Sequence, residues 1–335
     1  MPEEKRHDSW LRSVSEAIVD PEREIIDPHH HLWRELGLGT YLLPEFLADT
    51  GAGHHVIKSV FIECGVEYHD SGPEHLRSVG ETAFVADIAR QSELAGGTVI
   101  AGIVAHADLR HPALDEALAA HGEAGAGLFR GIRHALASSP DDAELMIPGR
   151  SVPGLYADTD FQSGVRALGK AGLSYDSWHF HYQNPEFLAL AQNAPNTLMI
   201  LDHFGTPLGV GRYASQRQEI FQQWQQDVSA IAQCDNVVAK LGGMAMPDNG
   251  FGWFGRDTPP GSDEFVLAQQ DYYHHMIECF GPERCMFESN FPVDKFSLSY
   301  PVLWNGLKKI ASRYSDAEQQ ALFSKTAERV YRLES

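Results

Sequence analysis

The stretch Ile25-Ile26-Asp27-Pro28-His29-His30-His31-Leu32-Trp33 decides how the rest of the chain reads. Two β-branched residues mark the end of a buried strand, and in extended backbone alternate side chains share a face. The spacing therefore predicts that Asp27, His29 and His31 point the same way. Imidazoles two residues apart at a strand end can converge on one small volume, to hold a divalent cation or to polarise a substrate carbonyl.

Working outward, strand-like apolar runs alternate with amphipathic helical runs. Strands are predicted over 56–64, 98–104, 127–132, 173–182, 197–204 and 237–241, with a last one opening at Cys285. Helices are predicted over 81–94, from Pro112, over 159–170, after Asn184-Pro185 and over 215–233, and a capping box at Ser315 to Glu318 starts another near the end. With the first strand the tally is eight strands, each followed by a loop and usually a helix. That is the pattern of an α/β (β/α)8 TIM barrel, here over 25–335 behind a charged N-terminal arm at 1–24. A doubly wound open sheet is the alternative, but no Gly-x-Gly-x-x-Gly turn supports it.

A length of 335 residues suits one large barrel, and 43% hydrophobic with 21% charged residues is an ordinary globular balance. The net charge of -20 argues against nucleic acid and anionic membrane as partners, and leaves a small-molecule substrate. Cys64, Cys234, Cys279 and Cys285 show no paired spacing and read as reduced thiols. Without a membrane-span run or a signal-peptide core, the expected location is the cytoplasm.

In a barrel of this kind the C-terminal strand ends meet at one mouth. His29 and His31, Glu63, His106, Arg130 and Arg133, His179 and His181, His203, and Glu288 with Asn290 all fall at such ends. His106, His134 and His179 are equally open to structural roles. Arg130 and Arg133 could each grip a substrate carboxylate or form a salt bridge under the loops. Trp33, Glu63 and Trp253 are further substrate-binding candidates. The segment 242–262, rich in Gly and Pro and carrying Met244, Met246, Phe251, Trp253 and Phe254, reads as an apolar lid or as a subunit interface, the latter compatible with a homodimer.

These motifs resemble the amidohydrolase superfamily, and within it the "amidohydrolase 2" branch. The resemblance is carried by the Asp-Pro-His-His-His-Leu-Trp start, Gly131-Ile132-Arg133-His134, Leu201-Asp202-His203-Phe204-Gly205, Lys240-Leu241-Gly242-Gly243 and Phe287-Glu288-Ser289-Asn290-Phe291-Pro292. It implies a lactonase-like hydrolase, with pyrone-dicarboxylate and sugar-lactone hydrolases in the same branch and metal-dependent aromatic decarboxylases further off. It matches His29, His31, His181 and His203 to the family's histidines, able to hold zinc or manganese.

The eighth strand departs from the pattern. The branch usually has Gly-Ser-Asp-Trp-Pro there, its Asp taking a proton from water, whereas Asn290 occupies that position here. A carboxamide cannot take that proton and is a poorer zinc ligand. The expectation is that Glu288, one layer below, has taken over the charge while Asn290 orients water or substrate, with Asp294 as the competing base. Because lactonases of the branch are thought able to work without metal, the missing Asp tips the expectation slightly towards a metal-independent site. The expected reaction is hydrolysis of a lactone or similar cyclic ester of a small organic acid. The alternatives are decarboxylation of an aromatic or muconate-like acid, and a catalytically degenerate binding barrel.

Overall fold

The computed structural model describes residues 3–139, 142–149 and 151–333. The ends of the two expected regions, residues 1, 2, 334 and 335, lie outside these. Eight parallel strands form one sheet in sequential order. They are β1 (Glu24–His30), β2 (His55–Ile62), β3 (Val99–Ala105), β4 (Phe129–Arg133), β5 (Ser174–Ser177), β6 (Met199–Leu201), β7 (Val237–Leu241) and β8 (Cys285–Phe287). The sheet closes beyond β8, where His30 bridges Phe291 in parallel and the His31 amide donates to the Phe291 carbonyl at 2.8 Å. The fold is therefore the expected (β/α)8 barrel.

A helix follows every strand: α1 (Leu43–Thr50), α2 (Val79–Ala95), α3 (Leu114–Ala124), α4 (Thr159–Lys170), α5 (Asn184–Asn193), α6 (Arg217–Ile231), α7 (Ser262–Phe280) and α8 (Tyr300–Ala311). On α6 the stripe Ile220, Trp224, Val228 and Ile231 is buried, as a 3.6-residue period requires. Asn184 is the first residue of α5, and Gln183 before it makes no side-chain cap. The capping box is present, with the Ser315 amide donating to Glu318 Oε2 at 2.7 Å.

Inside the barrel the strands change character along their length. Ile26, Val60, Ile62, Val104, Ile200, Val238 and Met286 form one apolar cluster with Ala327, Val330, Tyr331 and Leu333 from the C-terminal segment. That segment, through the helix Thr326–Tyr331, plugs the lower end. Two residues beyond Ile200, Val238 and Met286 the side chains become charged, at Asp202, Lys240 and Glu288.

Candidate active site at the mouth of the barrel

The alternation expected for Asp27, His29 and His31 breaks, because the pairing of β1 with β2 shifts register between Asp27 and His30. Asp27 is turned to the outer layer, where it accepts from the Ser289 amide at 2.9 Å and from the Tyr300 hydroxyl of α8 at 3.0 Å. His29 and His31 remain together, with their Nε2 atoms 3.3 Å apart. His30, between them, stacks on Phe46.

Glu288, two residues before Asn290, has an imidazole 2.7 Å from each carboxylate oxygen, although among the described residues only Oε1 accepts a directed hydrogen bond. Oε2 is 2.7 Å from His29 Nδ1 and Oε1 is 2.7 Å from His203 Nδ1. A carboxylate only accepts, so both Nδ1 atoms carry the hydrogen and both Nε2 atoms are left to act. His31 is fixed the same way, with Nδ1 donating to the Ile62 carbonyl at 2.8 Å. The 3.3 Å gap therefore separates two lone pairs, an arrangement that calls for positive charge nearby. Arg133 Nη1 supplies some of it, 3.4 Å from His29 Nε2.

Two glycines make this packing possible. A Cβ on Gly242 would come within 2.3 Å of Glu288 Cγ, and one on Gly243, at φ +74, within 2.3 Å of His203 Nδ1. His203 and Asn290 themselves hold positive φ, 52° and 54°. Such non-glycine strain concentrates at functional sites.

Beneath the imidazoles sits a residue that entered the sequence reading only as part of a motif of the family resemblance. Lys240 is fully buried, with Nζ 2.8 Å from Asp176 Oδ2, 3.3 Å from Asp202 Oδ1 and 3.4 Å from His29 Nδ1. Burial works against its charge, but Asp176 and Asp202 outweigh that and hold it protonated. Tyr331 donates to Asp176 from below. Burial and then Lys240 push His29 well below the ordinary imidazole range, and burial and then Arg133 do the same to His31. At His203 burial also lowers the pKa, but Glu288 wins and the net direction is upward. One carboxylate thus grips two imidazoles of opposite tendency.

Asp202 is the second residue that the sequence reading missed. It is buried, neither oxygen receives a directed hydrogen bond among the described residues, and the nearest cations are Lys240 at 3.3 Å and Arg133 at 3.8 Å. Among the described residues, the group whose ligand atoms lie within 4.8 Å of one another is His29, Asp202 and His203. A carboxylate that receives no directed hydrogen bond, grouped with two imidazoles, fits a divalent cation. The donor set so defined differs from the four histidines expected, since it includes Asp202 and leaves out His31 and His181. The site can hold a metal ion.

Other candidates land elsewhere. Arg130 lies at the opposite end of its strand, donating to the carbonyls of Gly127, Phe129 and Ala101 at 2.6, 3.2 and 3.3 Å, so it is removed from the mouth. His181 lies beyond the short β5, in the turn His181–Gln183, with Nδ1 accepting from the Leu208 amide and its ring edge-on to Tyr213. His179 is tied to Tyr156, Ser177 and Asn184. Trp253 is buried in its loop, stacked on Phe251 with its indole donating to Glu264 at 3.2 Å. Trp33 is stacked on His31, and Glu63 pairs with Arg133 at 2.8 Å. Asn290 donates to Asp294 Oδ1 at 2.9 Å, and Ala245 from the loop after β7 donates to Oδ2 at 3.2 Å. Burial raises the Asp294 pKa to about 7, partly offset by Asn290.

Fold and site together define a (β/α)8 hydrolase with a mouth of histidines and carboxylates. The chain belongs to the amidohydrolase family, whose model matches residues 26–333. It is 28% identical over 317 residues to an L-fucono-1,5-lactonase of Burkholderia multivorans, covering 92% of this chain and 96% of that one. It is 30% identical over 330 residues to an uncharacterized protein, y4mH, of Sinorhizobium fredii, covering 92% and 98%. A crystal structure of an amidohydrolase from Burkholderia multivorans with bound zinc superposes with a TM-score of 0.73 at 26% identity, covering 92% and 99%. Among the described residues no helix is long and apolar enough to cross a membrane.

Proposed function

We propose that the protein opens a lactone, or a similar cyclic ester of a small organic acid, by hydrolysis. The observation that carries this is the pair of imidazoles on Glu288 beside the carboxylate of Asp202, which receives no directed hydrogen bond among the described residues. Relatives that include a named lactonase support the same reading.

Each residue has a distinct task. Asp202 takes a proton from the attacking water as its oxygen bonds to the ester carbonyl carbon. Asp202 passes that proton to the ring oxygen when the carbon–oxygen bond breaks, giving a hydroxy acid, while His203, whose Nδ1–H is held by Glu288, turns its Nε2 lone pair to the site. Glu288 itself does not take the water proton. It is fully buried with both oxygens on imidazoles, so it orients and polarises rings rather than meeting water. A divalent cation held by His29, Asp202 and His203 would supply Lewis acidity to the carbonyl and the water when bound. Asn290 ties Asp294 to the loop after β8 and keeps the β1 and β8 ends together through its amide, which donates to the His29 carbonyl at 3.0 Å.

The test is acid release from a panel of five- and six-membered lactones, run beside carbon dioxide release from aromatic acids. Saturable acid release is expected. Gas evolution with no ring opening would replace the hydrolase by a decarboxylase, and neither product from folded protein would leave a binding barrel.

A further inference from the structure

We propose that Glu63 decides the charge of the molecule the mouth accepts: by occupying Arg133 it fits the site to an uncharged lactone and against one bearing a carboxylate. This rests on the lactonase reading above and names its substrate class.

Arg133 stands at the end of β4 with Nη1 3.4 Å from His29 Nε2, where a guanidinium would meet a substrate carboxylate by its two-pronged edge. That edge is already taken. Nε donates to Glu63 Oε1 at 2.8 Å, Nη2 donates to the Glu63 main-chain carbonyl, and Nη1 faces His29 and, at 3.8 Å, Asp202. Glu63 cannot easily swing aside. The amides of Cys64, Gly65 and Val66, which follow it directly, all donate to Glu81 Oε1 at 3.0, 2.9 and 3.0 Å. Glu81 is thus a positioning residue for the pair.

Among the described residues, neither Lys240 nor Lys295 offers a substitute. Lys240 is enclosed by Asp176 and Asp202, and Lys295, after β8, pairs with Asp49 at 3.0 Å. Four carboxylates, of Glu63, Asp176, Asp202 and Glu288, stand against the two fixed cations Arg133 and Lys240. Among the described residues an anionic substrate finds the Arg133 edge taken, and without the divalent cation it also enters a field of the wrong sign. A hydroxylated neutral lactone meets acceptors that its hydroxyls can satisfy.

The experiment compares kcat/KM for a hexono-1,5-lactone and for a carboxylate-bearing lactone in wild type, Glu63→Gln and Glu63→Asp. Glutamine keeps the Oε1 acceptor and removes the charge, so the ratio of carboxylated to neutral substrate should rise at least tenfold, mainly through a lower KM for the carboxylated one. Glu63→Asp should keep the wild-type preference. An unchanged ratio in folded Glu63→Gln overturns the proposal. If Glu63→Gln does not fold, wild type decides: lower kcat/KM for the carboxylated lactone supports it, and an equal or higher value overturns it. If no lactone is opened at all, the functional reading has failed, and the charge selection is still tested by thermal unfolding with glutarate. A higher Tm in Glu63→Gln but not in wild type supports the proposal, and no difference overturns it.

Discussion

Met286 and Glu288, Val238 and Lys240, and Ile200 and Asp202 are pairs two residues apart at the ends of β8, β7 and β6. The first member of each pair joins the apolar floor, and the second joins the charged layer above it. Same strands and same inward face therefore give two opposite environments. The floor removes apolar surface from water and stabilises the fold at about 25 cal/mol per Å². The upper layer takes ions out of water, which a well-packed apolar layer would not have to do. Its persistence makes sense for chemistry, not for stability. Tyr331 links the two, lying with its ring 5.3 Å from Lys240 Nζ while its hydroxyl donates to Asp176.

That contrast can be broken from either side. The largest change in stability is expected from Lys240→Met, which leaves Asp176 and Asp202 buried without their counter-ion. Urea unfolding should show a loss of about 3–5 kcal/mol, and a loss below about 1 kcal/mol would mean that the carboxylates do not depend on the lysine. On the floor, Leu333→Ala should cost about 2–4 kcal/mol by opening a void beside Gly102. Because Leu333 touches none of the charged groups above, kcat/KM per folded molecule should be unchanged. A parallel fall in activity would show that plug and mouth are coupled through Tyr331.

A smaller effect separates the layers by pH. Burial holds Asp294 up to about 7, so the native state keeps a proton that the unfolded chain releases near pH 4. Between those values the native state binds more protons, and the stability contributed at this site falls as pH rises from about 4 to about 7. Asp294→Asn should flatten that slope when unfolding is compared at pH 5 and pH 7.5. Parallel curves for the two proteins would contradict it.

Much of this was legible in the sequence. Periodicity located the strands, and the limits of β7 and α4 matched to the residue. Strand β5 is shorter than expected because its regular pairing stops at Ser177, and this carried His181 out into a turn. His29, His31, His203 and Glu288 were visible because polar residues at apolar strand ends have few reasons to be there. Lys240 and Asp176 were not, since a lysine within a strand reads equally as an exposed edge; only closure of the barrel shows that its neighbours are carboxylates. Asp202 was hidden beside His203, whose positive φ turns the chain so that adjacent residues serve one site. Arg130 and Arg133 looked alike in sequence, yet three residues of strand separate the two ends of the barrel. The register shift that turned Asp27 outward leaves no mark in the sequence beyond Pro28.

Glu288→Gln probes the central claim most directly, because a glutamine amide offers one acceptor where two imidazole Nδ1–H groups each need one. Ring opening of a neutral lactone should fall about 10–100-fold in kcat/KM, with urea unfolding showing the variant still folded. Wild-type turnover in that folded variant would contradict the claim that this carboxylate prepares the two imidazoles for hydrolysis.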